Sequence, residues 1–335
     1  MNAFSSAAEF LRYIKKVEAS ALPRMADPDV EFQKIHQEET KDMPEEILGR
    51  EEPFDWLVET LFQEIENAAS GTIRAEIQER VAAGCLEHES VNAQILRSKD
   101  GYYAIVLNKG LMMLVNKFIK LIAAASEPEA VIYCNRGVAF SKQEYIQMGA
   151  EVLKHYAKHG VPAGPRLKLR ADSRARGFLE VSLRWIELFI LAHEVGHFAN
   201  GDLANLKSFS PWHLADISVF NGEQSHREEF DADRFAFATV MRITAASTPT
   251  FPAIQVLLGA ATLTFNVLRG ISDRESYSHP AASARLLAIT REFFGPKPAD
   301  AMEASFASPR LVEDVRKAVG NVSVSALIRS WPSTI

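Results

Sequence analysis

Cysteine is almost missing from this sequence. Two residues in 335, Cys85 and Cys134, cannot build a disulfide framework, and neither sits in a Cys-x-x-Cys pair, so a reduced, cytoplasmic setting is expected. A Gly-rich phosphate loop is missing, as is a Gly-x-Ser-x-Gly elbow, which sets aside the common nucleotide-binding and serine-hydrolase signatures. There is no internal repeat and no low-complexity tract. The opening "MNAFSSAAEFLRYIKKVEAS" has neither a basic start nor a continuous apolar stretch, so it does not read as a secretory signal. Long clean apolar runs are also lacking. The best candidate, Phe251 to Leu268, is interrupted by Gln255, Thr262, Thr264 and Asn266 and reads as a buried core helix, so no membrane insertion is expected. Nor is there an excess of positive charge. The net charge is −6, and the basic run Arg166, Lys168, Arg170, Arg174, Arg176 has little aromatic interleaving, so it reads as an exposed loop and no nucleic-acid partner is expected.

What is present is an ordinary globular balance, 47% hydrophobic and 24% charged, enough for a sizeable core. The charge is uneven. Asp27 to Glu66 holds fourteen acidic and three basic side chains, or −11, which leaves the remainder near +5. Such a segment reads as a solvated helical surface or as an acidic arm that covers a more basic body. Residues 1–95 read as a helical region broken at Pro23, Pro28, Pro44 and Pro53. "DGYYAIVLN" (Asp100 to Asn108) and "AVIYCN" (Ala130 to Asn135) read as strands, with the amphipathic "GLMMLVNKFIKLIAAA" between them. "SKQEYIQMGAEVLKHYAKHG" reads as a helix, followed by a basic linker, a helix from about Phe178 to Asn200, and a further helix in "SHREEFDADRFAFATVMRI". The tail, residues 291–335, reads as helices with short breaks. Helices dominate and strands are few, which points to an α+β, mostly helical fold with a small sheet.

The chemistry concentrates in "FILAHEVGHFANGD", Phe189 to Asp202. The helix there is apolar on nearly every side, so it is a buried helix, and buried ionisable groups are costly unless paired or metal-bound. His193 and His197 are four apart and share one face. Two ring nitrogens at that spacing reach one ion, and Glu194 beside them can act on a water without being a ligand. This is the His-Glu-x-x-His pattern of zinc hydrolases.

A hydrolytic zinc site needs a third protein ligand and an open position. The metzincin continuation fails, because Asn200 and Leu203 stand where it needs glycine and histidine. The downstream helix offers Glu229 and Asp233, four apart, as ligand and as acceptor for a histidine's outer nitrogen. His226 is a rival ligand; Asp231 and Glu228 belong to other faces. A third element, "YSHPAASAR", brings His279 or Tyr277 as donors to an oxyanion, with Arg285 anchoring the region or a substrate carboxylate. Pro280 also suits a simple helix start. His155 and His159 repeat the four-residue spacing without an intervening glutamate and read as a solvated helix end. Trp212 and His213 fall in the loop between the ligand-bearing helices.

"HEVGH", "EFDAD" and "SHPAASAR", in this order, resemble the gluzincin metallopeptidases of the HtpX and CaaX prenyl protease type. The resemblance implies a zincin-like catalytic domain over residues 96–290, with an insertion near 131–177, holding one Zn2+. It implies His193, His197 and Glu229 as metal ligands, Glu194 as general base, Asp233 as supporting aspartate, and His279 and Arg285 as transition-state support. "YYAIVLNKGLMML" looks like the family's edge strand, which takes substrate by strand addition. The chain lacks the membrane helices of many relatives. "REEFDADRFAFATVM" is also similar to soluble ImmA/IrrE-type peptidases, and the His-Glu-x-x-His core to soluble Lit-type peptidases. The combined expectation is a zinc metalloendopeptidase acting on protein or peptide substrates. The alternative is a non-catalytic, metal-stabilised binding or regulatory module of a stress or phage response, whose structural zinc would have four protein ligands.

Overall fold

The helix that carries both histidines is the axis on which the rest is packed. A computed structural model describes residues 4–21, 53–88, 90–126, 131–133, 140–159, 169–171, 173–205, 226–265 and 280–305. Along the chain these form α1 (Ala7–Ala21), α2 (Pro53–Ala68), α3 (Gly71–Arg80), β1 (Val81–Leu86), β2 (Ala93–Arg97), β3 (Tyr103–Asn108), α4 (Lys109–Ser126), β4 (Val131–Tyr133), α5 (Lys142–His159), β5 (Leu169–Ala171) and α6 (Ser173–Ala199). Then come a 3-10 turn (Asp202–Asn205), α7 (His226–Ser247), α8 (Ala253–Val256) running into a π-helical segment (Leu257–Thr262), α9 (Ala282–Phe294) and α10 (Pro296–Ser305). The protein is mostly helical with a small three-stranded sheet.

That sheet has the order β1-β3-β2. β1 runs parallel to β3, with Val81 opposite Tyr103, and β2 runs antiparallel to it, with Arg97 opposite Tyr103. Side chains alternate between faces with the two-residue period of a strand. Tyr103, Ile105 and Leu107 join Val81, Ala83, Cys85 and Ile95 in the main core, while Ala104 and Val106 join Leu86 and Leu96 under Phe10 and Ile14 of α1. Asp55 of α2 ties the layers together: it accepts a 2.7 Å hydrogen bond from the Cys85 backbone N–H and pairs with Lys15 of α1. A side chain at position 84 would meet Asp55, Leu11 and Lys15 at 3.1 Å, so glycine lets α1 and α2 close over β1.

α6 lies against three partners. Its flank bearing Leu188, Leu191 and Val195 shares the main core with Val58, Leu61 and Ile65 of α2 and Ile105 of β3. A second flank, Leu179 and Ile186, packs with Leu114, Ile119, Tyr145 and Val152 of α4 and α5. The third faces α7 and the π-helical segment, where Trp185 lies on Gly259, which leaves no room for a β-carbon beside the indole. Each fully buried aliphatic side chain is worth about 1.5–3 kcal/mol, so α2 is a structural support of α6.

Four expectations change. β1 and β2 lie in or beside the region read as helices: VAAGCL and AQILR have few β-branched residues, and tertiary pairing overrides their weak local preference. β3 is the central strand, not an edge, because β1 and β2 pair with its two sides. Within the stretch read as a linker, Leu169–Ala171 pairs antiparallel with Val131–Tyr133, and α6 begins at Ser173, five residues before the expected start. The segment from Phe251 is helical and in the core, as its polar interruptions imply, with Ile254, Val256, Leu257, Ala260 and Phe265 buried. No helix among the described residues is long and apolar enough to cross a membrane. Most of the acidic segment, Cys134, Trp212, His213, Tyr277, His279 and residues 306–335 lie outside the described residues.

Glu187, in the middle of α6, is buried, and burial pushes its carboxyl up from an ordinary 4.5 to about 8. Between those values the folded protein holds a proton that the unfolded chain has released. The stability tied to this group is therefore full below pH 4.5 and is lost as pH rises towards 8. Each pH unit inside that window removes up to about 1.4 kcal/mol. Glu187→Gln is expected to be more stable than wild type, by a margin that grows between pH 6 and 8. Urea unfolding of both proteins with a chelator present checks this; a margin independent of pH would show that Glu187 ionises freely.

Candidate metal centre

α6 ends beside the sheet. Phe198 meets Tyr103 of β3 edge-on, with ring centroids 5.0 Å apart. Gly201, at φ +77°, then takes the left-handed conformation that stops the helix. In the preceding turn His193 and His197 project together, their Nε2 atoms 3.1 Å apart and their rings nearly perpendicular.

α7 crosses α6 closely because both helices are small at the crossing point. A β-carbon on Gly196 would lie 2.9 Å from the Ala232 Cα and 3.0 Å from its carbonyl oxygen. Gly196 is the variable residue before His197 in "HEVGH", and Ala232 the alanine of "EFDAD". This contact lets Glu229, one turn before Ala232, reach the histidines: its carboxylate oxygens lie 3.5 Å from His193 Nε2 and 3.7 Å from His197 Nε2. The Glu229 side chain is 1% exposed. Donor atoms of His193, His197 and Glu229 all fall within 4.8 Å of one another, and the group can hold a metal ion. His226 is not part of it.

The outer nitrogens are braced by carboxylates. Asp233 Oδ1 lies 3.0 Å from His193 Nδ1, and Asp202 Oδ2 lies 3.0 Å from His197 Nδ1. Each imidazole can therefore donate from Nδ1 and turn the Nε2 lone pair inwards, which is the tautomer a ligand needs. The donor set fits a cation: two oriented imidazoles and a buried carboxylate face one point.

Arg285 of α9 completes the cluster from beneath. Its Nε and Nη2 grip Asp233 at 2.7 and 2.6 Å, and Nη1 lies 3.1 Å from Glu229 Oε2. The guanidinium rests over the Phe265 ring at 5.1 Å, and Phe265 stacks edge-on against Phe189 of α6. Arg285 is buried, so it acts as an internal counter-charge. Burial alone would lower its pKa, yet Asp233, Glu229 and Glu194 raise it above its ordinary value. Burial would raise Asp233, but Arg285 and the bond to His193 hold it below the usual carboxylate range. For His197, burial is outweighed by the Asp202 hydrogen bond and the charges of Glu194, Glu229 and Asp202, so its pKa lies above the ordinary histidine value. Glu194 is half-buried on α6 beside His193.

Of the residues singled out from sequence, His193, Glu194, His197, Glu229, Asp233 and Arg285 converge. His279 and Tyr277 lie outside the described residues, and Asp231 turns to the surface towards Arg227 and Arg234. Asp202 was missed. Its one signal was an acidic residue directly after the helix-stopping glycine, where the chain can fold back on His197.

Comparison with known proteins adds one finding. The model of a family described as Peptidase U49 matches residues 170–305, a span containing α6, α7, α9 and every residue of the cluster. The match supports a proteolytic function and implies protein or peptide substrates. No curated protein and no solved structure matches the chain.

Proposed function

We propose that this protein is a zinc-dependent endopeptidase of the gluzincin type. The reading rests on one observation, the buried His193, His197 and Glu229 group with Glu194 next to it on α6. Tetrahedral zinc with bonds of about 2.0–2.1 Å separates its donors by about 3.3 Å. The separations of 3.1, 3.5 and 3.7 Å straddle that distance. Three protein donors meet among the described residues, the number that a catalytic zinc site uses with one position left open.

His193, His197 and Glu229 would hold the ion, which when bound supplies Lewis-acid chemistry, acidifying water and polarising a carbonyl. Glu194 takes the proton of the attacking water and delivers it to the departing amine, so the leaving group departs neutral. Asp233 and Arg285 keep His193 and Glu229 in place during the transfer. The oxyanion donor is assigned to His279 or Tyr277, close in sequence to the buried Pro280 that precedes α9.

The substrate strand is assigned to β2, replacing β3. β2 pairs with β3 on one side, has no strand partner on its other side among the described residues, and reaches the turn that follows α6 through Arg97, whose Nη1 donates to the Leu203 carbonyl at 3.4 Å. An extended peptide added there would run beside the end of α6.

The first experiment is elemental analysis of purified protein after zinc loading. Wild type is expected to hold one zinc per chain and Glu229→Ala to lose most of it. Zinc-free wild type would remove the metallopeptidase reading.

A further inference from the structure

We propose that Asp202 is a positioning residue that fixes the second histidine of the metal centre; this deepens the metallopeptidase reading and rests on it. His197 is the more buried of the two imidazoles, its side chain 3% exposed against 12% for His193. A ring on α6 can rotate about its side-chain torsions, and the apolar neighbours Phe198 and Val195 provide no hydrogen bond to stop it. Asp202 provides that bond, 3.0 Å from Nδ1, and is itself nearly buried, 10% exposed at its side chain.

Three features place it there. Gly201 at φ +77° reverses the chain after α6. The 3-10 turn Asp202–Asn205 follows at once, with Leu203 buried beneath it. Arg97 of β2 then clasps the Leu203 carbonyl at 3.4 Å from outside. The turn that carries this carboxylate is thus tied, through the Leu203 carbonyl, to the strand assigned to receive substrate. His193 is oriented differently, because its partner Asp233 is locked by the Arg285 fork from a separate helix. The two ligands have independent braces, and loss of Asp202 should free one imidazole while Asp233 still holds the other.

The test measures zinc affinity by competition with a chromophoric chelator and the visible spectrum of the cobalt(II)-loaded protein, for wild type, Asp202→Ala, Asp202→Asn and Asp202→Glu. Losing a carboxylate partner of a histidine ligand typically weakens metal binding about 10–100-fold. Asp202→Ala is expected to show that loss and an altered cobalt spectrum, with melting of the metal-free protein little changed. Asp202→Asn, which keeps an oxygen acceptor without the charge, is expected to recover part of the affinity and the wild-type band shape. If Asp202→Ala fails to fold, Asp202→Asn decides: weaker zinc binding supports the assignment, and wild-type affinity overturns it. Wild-type affinity and spectrum in a folded Asp202→Ala also overturn it, leaving the metal centre standing. Wild-type protein that binds neither zinc nor cobalt removes the metal centre, and this inference with it.

Discussion

Glu194→Gln is expected to retain zinc at the wild-type level and to lose peptide hydrolysis by about 10²- to 10⁴-fold, the usual contribution of a positioned general acid–base group. Glutamine keeps the shape of the side chain on α6 but cannot accept the proton. Glu194 is absent from the metal-competent group of His193, His197 and Glu229, so its neutralisation leaves the donors intact. Its negative charge does act on His197 and Arg285, so a modest change in metal affinity is compatible with the assignment. The measurement pairs zinc content with turnover of a quenched-fluorescent peptide library. Full turnover with full zinc would remove Glu194 as base; lost turnover with lost zinc would make it a ligand.

The second large effect is on stability. Arg285→Met keeps an unbranched apolar stem but removes the cation that faces Asp233 and Glu229, both fully buried. Removing one partner of a buried charged pair costs about 3–5 kcal/mol. Metal-free Arg285→Met is expected to lose stability on that scale in denaturant unfolding, and zinc is expected to restore part of it by offsetting the Glu229 charge. Arg285→Lys should recover less than a full rescue, because an ammonium cannot reproduce the fork that grips both oxygens of Asp233. Unfolding of the metal-free Met variant at the wild-type midpoint would show that the two carboxylates are neutralised in some other way.

The two helices that bring His193, His197 and Glu229 together were legible because their signals are local. The four-residue spacings His193–His197 and Glu229–Asp233 hold within single helices, and a helix turns side chains at that spacing to one side whatever surrounds it. The close crossing that joins the two pairs is also written in the motif, as Gly196 and Ala232, although their role emerges only when the helices are seen in contact. The sheet was less legible. β1 pairs directly with β3 although β2 lies between them in sequence, and the Ala- and Gly-rich VAAGCL carries little local strand preference to announce it. β3 is buried along its whole length and apolar up to Asn108 because it is covered on both faces and flanked on both edges, a property of its neighbours and not of its own periodicity. Asp202 escaped for a similar reason: its bond to His197 depends on the left-handed turn at Gly201.

The core around α6 draws side chains from Val58 to Met302, and that span bears on how the protein is made. Synthesis proceeds from the N-terminus, so the nascent chain presents α2, the sheet and the two histidines before it presents Glu229, and Glu229 before its counter-charge Arg285. The residues that would bind metal therefore come together only once the chain has been made through Arg285. Chains that end between His197 and Arg285 carry both histidines but lack the third donor or its brace, so such products would lack the proposed metal centre.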